Sequence, residues 1–154
     1  MIKVLFVCHG NICRSPMAEF IMKDLVKKAG LEQEFMIDSR ATSTEETGNP
    51  IHRGTMGIFK KYQIPCTGHR AQQMSRQDYE TYDYLIGMDQ SNIRNMTRIA
   101  GGDPEKKIYK LMEFTGSGRD VADPWYTGDF EATYRDVSEG CQALLEKLKG
   151  NLAR

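Results

Sequence analysis

Val4-Leu5-Phe6-Val7-Cys8-His9-Gly10-Asn11-Ile12-Cys13-Arg14-Ser15-Pro16 is the stretch whose reading decides the fold. Residues 2–7 are apolar and β-rich apart from Lys3, which predicts a buried strand. A short loop with Gly10 follows. Ser15-Pro16 then reads as a helix start, a hydroxyl cap followed by a proline whose missing N–H costs nothing there. Ala18, Ile21, Met22, Leu25, Val26 and Ala29 recur at helical spacing, and Gly30 is a natural stop. The first unit is therefore strand, loop, helix. In an open α/β sheet ligands bind beyond the carboxyl ends of the strands, and Cys8 stands at that end of the first one.

Working outward, the alternation repeats. Phe35-Met36-Ile37 predicts a second strand, and Asn49-Pro50 a second helix carrying Ile51, Thr55, Ile58, Phe59 and Tyr62 on one side. Ser75-Arg76-Gln77-Asp78 resembles a capping box with a short helix. Tyr84 to Met88 reads as the third strand, Asp89 to Arg98 as a helix, and Lys107 to Met112 as the fourth strand. Phe130, Tyr134, Val137, Cys141, Leu144, Leu145 and Leu148 form the stripe of a final helix. Strands alternating with helices predict an α/β domain with a parallel sheet covered on both faces. The 154 residues fit a single domain, 1–154. Irregular stretches are expected at about 38–49 and 113–129, and the tail from Gly150 is expected to fray.

The 21 basic and 21 acidic residues cancel, so no overall charge speaks for nucleic acid or membrane partners. The apolar run before Cys8 is too short to span a membrane and lacks a signal-peptide pattern, which places the protein in the cytoplasm. Four cysteines in such a chain are expected to be free thiols. His9, His52 and His69 lie far apart in sequence and no CxxC pair occurs, so no metal site is expected.

The loop after the first strand joins a nucleophile to an anion cradle. The following helix aims its unpaired N–H groups and positive dipole end at Cys8. Gly10 and Asn11 tolerate positive φ, so the loop can curl with its amides inward. Arg14 adds a planar fork that matches two phosphate oxygens. The same features favour a thiolate at Cys8. A buried structural thiol is the ordinary fate of a cysteine, but Arg14 and the strand-loop-helix setting argue for chemistry. A nucleotide-type phosphate loop is excluded, since Gly-x4-Gly-Lys-Ser/Thr is absent.

Cys-x5-Arg-Ser, here Cys8 to Arg14 and Ser15, is a phosphate-binding signature of cysteine-dependent phosphatases. The longer string from Val7 to Pro16 resembles the low-molecular-weight protein tyrosine phosphatase family. The resemblance continues in Asp38-Ser39, Ala41-Thr42-Ser43-Thr44, Gly48-Asn49-Pro50, Met88-Asp89-Gln90-Ser91-Asn92 and Asp123-Pro124-Trp125-Tyr126, nearly the whole chain. It implies a four-stranded parallel sheet in the order 2-1-3-4, helices on both faces, and no metal or organic cofactor. It also implies a phosphate cradle made of His9, Gly10, Asn11, Ile12, Cys13, Arg14 and Ser15. Phosphotyrosine proteins would be the partners and a monomer or weak dimer the working form.

Thiolate attack on phosphorus expels a phenolate, which a general acid on the opposite side assists. Asp123, before Pro124 in a long loop, fits that description and by resemblance is the acid. The resemblance further assigns Ser43 and His69 to the network that holds Asn11 in a left-handed conformation. The Ser15 hydroxyl would stabilise the Cys8 sulfur, and Cys13 would trap oxidised Cys8 as a disulfide. Cys66 and Cys141 read as structural. Trp125 and Tyr126 would wall a slot for a phenyl ring, with Ile12 as an apolar contact. Two departures stand out: Trp125 replaces a usual tyrosine, and Glu45 occupies a rim position where many members carry an aromatic, which with Glu46 makes that rim acidic.

Arsenate reductases share this scaffold but need two more cysteines near the end of the third strand, where Ile86-Gly87-Met88-Asp89-Gln90-Ser91 has none. Phosphoarginine phosphatases carry threonine in place of Ile12. A phosphopeptide-binding module would need neither Cys8 nor Asp123.

Overall fold

The computed structural model describes residues 1–152. Strand β1 (Ile2–Cys8) lies inside a parallel sheet between β2 (Phe35–Ala41) and β3 (Tyr84–Gly87), and β4 (Ile108–Lys110) closes the edge beyond β3, giving the order β2-β1-β3-β4. The register runs from Ile2 opposite Phe35 to Cys8 opposite Ala41, and from Val4 opposite Tyr84 to Val7 opposite Gly87. The expected parallel sheet and its order are thus found.

Side chains alternate across β1, so its two faces feed two cores. Val4 and Phe6 join residues of α1 (Arg14–Lys28), α2 (Arg53–Lys61) and α6 (Phe130–Leu152). Leu5 and Val7 join Tyr79 of α3 (Arg76–Thr81) and Met96 and Ala100 of α4 (Gln90–Ala100). All four β1 residues have no exposed surface, and burying each contributes roughly 1.5–3 kcal/mol. This is why the run at 4–7 is uniformly apolar: it has no solvent face.

Several boundaries differ from the sequence reading. Helix α1 begins at Arg14, with Cys13 in the cap position and no side-chain cap, so Ser15 lies inside the helix rather than ahead of it. Asn49-Pro50 does not open α2; His52 is its N-cap, and its Nδ1 accepts the Gly54 N–H at 2.9 Å. Strand β2 runs on through Asp38-Ser39-Arg40 to Ala41. Strand β4 is only Ile108–Lys110, because Leu111 and Met112 turn into the core in a 3-10 turn, Leu111–Thr115. Gly140 of α6 lets that turn approach, since a Cβ there would stand 2.5 Å from Leu111 Cγ. A one-turn helix, α5 (Pro124–Thr127), interrupts the stretch expected to be irregular. Gly150 to Leu152 are helical rather than frayed; Ala153 and Arg154 lie outside the described residues. No helix among the described residues is long and apolar enough to cross a membrane.

Candidate active site

The segment from Cys8 to Ser15 curls around the end of β1. Its pivot is Asn11, fully buried at φ 59°, a left-handed conformation that asparagine tolerates better than most residues. The Asn11 Nδ2 donates to Ser15 Oγ at 2.8 Å and to Ser39 Oγ at 2.9 Å, and its Oδ1 accepts the Gln72 N–H at 3.1 Å. The His69 imidazole bonds the Asn11 carbonyl at 2.8 Å. Ser39 Oγ donates to Glu19 at 2.6 Å; this carboxylate is 3% exposed and also receives Lys23 Nζ. A satisfied buried network of this kind fixes one loop conformation.

His69 therefore stands where the resemblance placed it, but Ser43 does not. Its hydroxyl donates to the His9 carbonyl at 3.0 Å, and Ser39 is the serine that meets Asn11. Ser39, Glu19 and Gln72 escaped the sequence reading. A readable signal existed for Glu19: it follows Ser15 by four residues on α1, so both face the loop.

The curl converges donors on sulfur. The N–H groups of Asn11 and Ser15 point at Cys8 Sγ from 3.3 and 3.4 Å, and Ser15 Oγ stands 3.1 Å away. Main-chain donors aimed at one sulfur suit nucleophilic chemistry there. The adjoining Cys13 differs: burial first, then the charges of Cys8 and Asp123, push its thiol up to about 12. All four cysteines are free; Cys141 is wholly buried, and burial raises its thiol as well.

Arg14 is 2% exposed and links both halves of the site. Its Nη1 donates to Asp89 Oδ2 at 2.7 Å and to the Val121 carbonyl at 2.9 Å, and its Nη2 lies 3.4 Å from Asp123 Oδ2. Burial works against its charge, but Cys8, Asp89 and Asp123 outweigh burial and hold the guanidinium above its ordinary value. Asp89 is a further residue the sequence reading did not assign. It caps α4, its Oδ1 accepting the Asn92 N–H at 2.8 Å, which leaves Oδ2 for Arg14.

Asp123 caps α5, its Oδ1 accepting the Trp125 N–H at 3.0 Å. Its carboxylate, Cys8, Ile12, Cys13 and Arg14 line one pocket. Trp125 and Tyr126 form one side wall, 56% and 83% exposed; His9, Gly10, Glu45 and Glu46 form the other. Trp125 meets His52 in a T-shaped contact with ring centroids 5.7 Å apart, and His52 stacks on Phe130 at 5.2 Å. The main-chain N–H of His52 in turn donates to the Ile12 carbonyl at 2.9 Å, tying the aromatic wall to the loop. Across the mouth, Glu45 Oε2 and His9 Nε2 are 2.9 Å apart, so the first glutamate of the acidic rim is paired. The second, Glu46, accepts from Asn49 at 2.6 Å.

This arrangement has close counterparts. The low molecular weight phosphotyrosine protein phosphatase family model matches residues 3–154. Low molecular weight protein-tyrosine-phosphatase YfkJ of Bacillus subtilis is 42% identical over 151 residues, 97% of each chain. Its crystal structure superposes with a TM-score of 0.95 over 98% of this chain and 96% of its own. The low molecular weight protein tyrosine phosphatase SP-PTP of Streptococcus pyogenes is 49% identical, with a TM-score of 0.87 over 96% of this chain and 93% of that one. A Drosophila arginine phosphatase, DARP, is 31% identical, with a TM-score of 0.88 over 96% and 98%. With fold, loop and relatives in agreement across its length, the chain belongs to the low molecular weight phosphotyrosine protein phosphatase family.

Proposed function

We propose that this chain hydrolyses phosphotyrosine in proteins, and aryl phosphates generally, through a phosphocysteine intermediate. The observation that carries the reading is the placement of Cys8 and Asp123 on one pocket with Arg14 between them. The Cys8 thiolate attacks phosphorus, the S–P bond forms, and the P–O bond to the phenol breaks. Asp123 gives its proton to the departing oxygen. The resulting carboxylate then takes a proton from water as that water attacks phosphorus, breaking the S–P bond and returning the thiolate and inorganic phosphate. The loop amides and Arg14 stabilise the equatorial oxygens throughout.

The test is hydrolysis of an aryl phosphate without added metal. Cys8→Ser is expected to abolish turnover, whereas full activity in that variant would sink the mechanism. Because one structural relative is named an arginine phosphatase, phosphoarginine, whose phosphorus is bonded to a guanidino nitrogen, is the second substrate to compare. Ile12 and the exposed rings of Trp125 and Tyr126 favour the phenyl ester.

Cys13 supports a redox role in the same pocket. When peroxide converts Cys8 to a sulfenic acid, the Cys13 sulfur attacks it, and a disulfide and water form. A catalytic thiol that must remain reduced suits a cytoplasmic setting.

A further inference from the structure

Between Gly116 and Asp129 only Val121 and Pro124 are buried. Few apolar contacts therefore hold Asp123 at the pocket, and directional bonds must do so. Three residues before it, Asp120 Oδ1 accepts the Gln90 N–H at 3.1 Å and Lys110 Nζ at 3.0 Å. Gln90 is the first residue of α4, and its N–H is one that a helix leaves without an internal partner. Lys110 is the last residue of β4, and its side chain is 14% exposed. One carboxylate oxygen thus joins the acid-bearing loop to the start of a helix and the end of a strand. The next residue adds to this: the Val121 N–H donates to the Met88 carbonyl at 2.9 Å, and its own carbonyl receives Arg14.

The first turn of α4 consequently orients two carboxylates. Asp89 caps it and holds Arg14, while Asp120 occupies its free N–H and holds the loop. On the outer side Arg119 forms a bidentate pair with Asp136 of α6 at 2.6 and 3.0 Å; the Arg119 and Asp120 side chains are both about half exposed.

We infer that Asp120 is a positioning residue for proton transfer: by anchoring the loop to the start of α4 and the end of β4, it sets where Asp123 stands opposite Cys8. The inference rests on the proposed role of Asp123 as the acid. A surface ion pair that only supports folding would change both steps and all substrates alike. An anchor for the acid acts on one thing, the help given to a departing phenolate.

The experiment is kcat/KM for phenyl phosphate and for a nitrophenyl phosphate, whose more acidic leaving group needs less proton donation. Asp120→Ala is expected to lose about tenfold on phenyl phosphate and less than about threefold on the nitrophenyl ester. Asp120→Asn keeps an acceptor for the Gln90 N–H and is expected to recover most of that loss. Lys110→Met, which removes one of the two donors, is expected to show the same pattern at about threefold. In an Asp123→Ala background, Asp120→Ala is expected to change neither substrate further, because nothing remains to position. Equal losses on both esters, no loss, or a loss undiminished in the Asp123→Ala background would overturn the anchor. If Asp123→Ala itself leaves the two esters in their wild-type ratio, the acid role fails, and the anchor with it. If Asp123→Ala separates them and Asp120→Ala does not, the anchor alone fails.

Discussion

The loop from Cys8 to Ser15 and the loop from Gly116 to Thr127 face each other across one pocket, and they are held by different means. In the first, Asn11, Arg14 and Ser15 are almost wholly buried, and each polar atom of the Asn11 side chain has a partner. In the second, most residues are exposed, and the fastenings are Asp120, the Val121 main chain and the Asp123 cap. The Cys8 side is therefore part of the folding core, whereas the Asp123 side rests on bonds that water can replace. Damage to the first should cost stability and activity together, and damage to the second should cost activity alone.

Asp123→Ala gives the largest expected separation of the two. kcat/KM for phenyl phosphate is expected to fall about 10³-fold, with the free energy of unfolding within about 1 kcal/mol of wild type. A matching collapse in a denaturant titration would break the comparison. On the opposite loop, Asn11→Ala is expected to lose about 10²-fold in activity and, because it strands the buried Ser15 and Ser39 hydroxyls and the Gln72 N–H, about 2–4 kcal/mol of stability. A variant as stable as wild type would show that the network does not belong to the core.

Cys13 gives the comparison a pH dependence. Its thiol is pushed up to about 12, chiefly by burial, which persists after Cys8 is oxidised. Below that value the reactive thiolate fraction rises about tenfold per pH unit. Disulfide trapping of peroxide-treated enzyme should accelerate accordingly between about pH 7 and 9, as followed by the recovery of activity on adding a dithiol. A rate independent of pH would remove Cys13 from the reaction. Ser39→Ala is expected to cost about tenfold in kcat/KM and Ser43→Ala less than about threefold, since only the first meets the Asn11 side chain. At Trp125→Ala, KM for aryl phosphates is expected to rise about threefold to fivefold, below the effect of Ser39→Ala, and stability to change by no more than about 0.5 kcal/mol.

The contiguous parts of this site are the parts that were legible. Cys8, Arg14 and Ser15 share one run of sequence, and the apolar stretch before them announces its strand. Asp123 was recognisable through Asp-Pro and the family resemblance. The partners of Asn11 were harder, because Ser39 sits on the polar half of β2, opposite Phe6 in register, where a short apolar run predicts the strand to have ended. Ser43, four residues on, was the natural but mistaken choice. Asp89 could be read as a helix cap but not as a partner of Arg14, since 75 residues separate them and only the sheet order brings them together. The start of α2 was misplaced for a local reason: an imidazole does the capping where Asn49 was the expected residue, and Asn49 is engaged with Glu46.

Trp125 is the chain's single tryptophan, and it lies half exposed in the Asp123 loop in a T-shaped contact with His52. Excited selectively over the seven tyrosines, this one indole reports from the wall of the pocket. Its emission colour reports how wet that loop is. Arrival of an anion beneath it can be timed by stopped-flow fluorescence without a label, against a background free of any other indole.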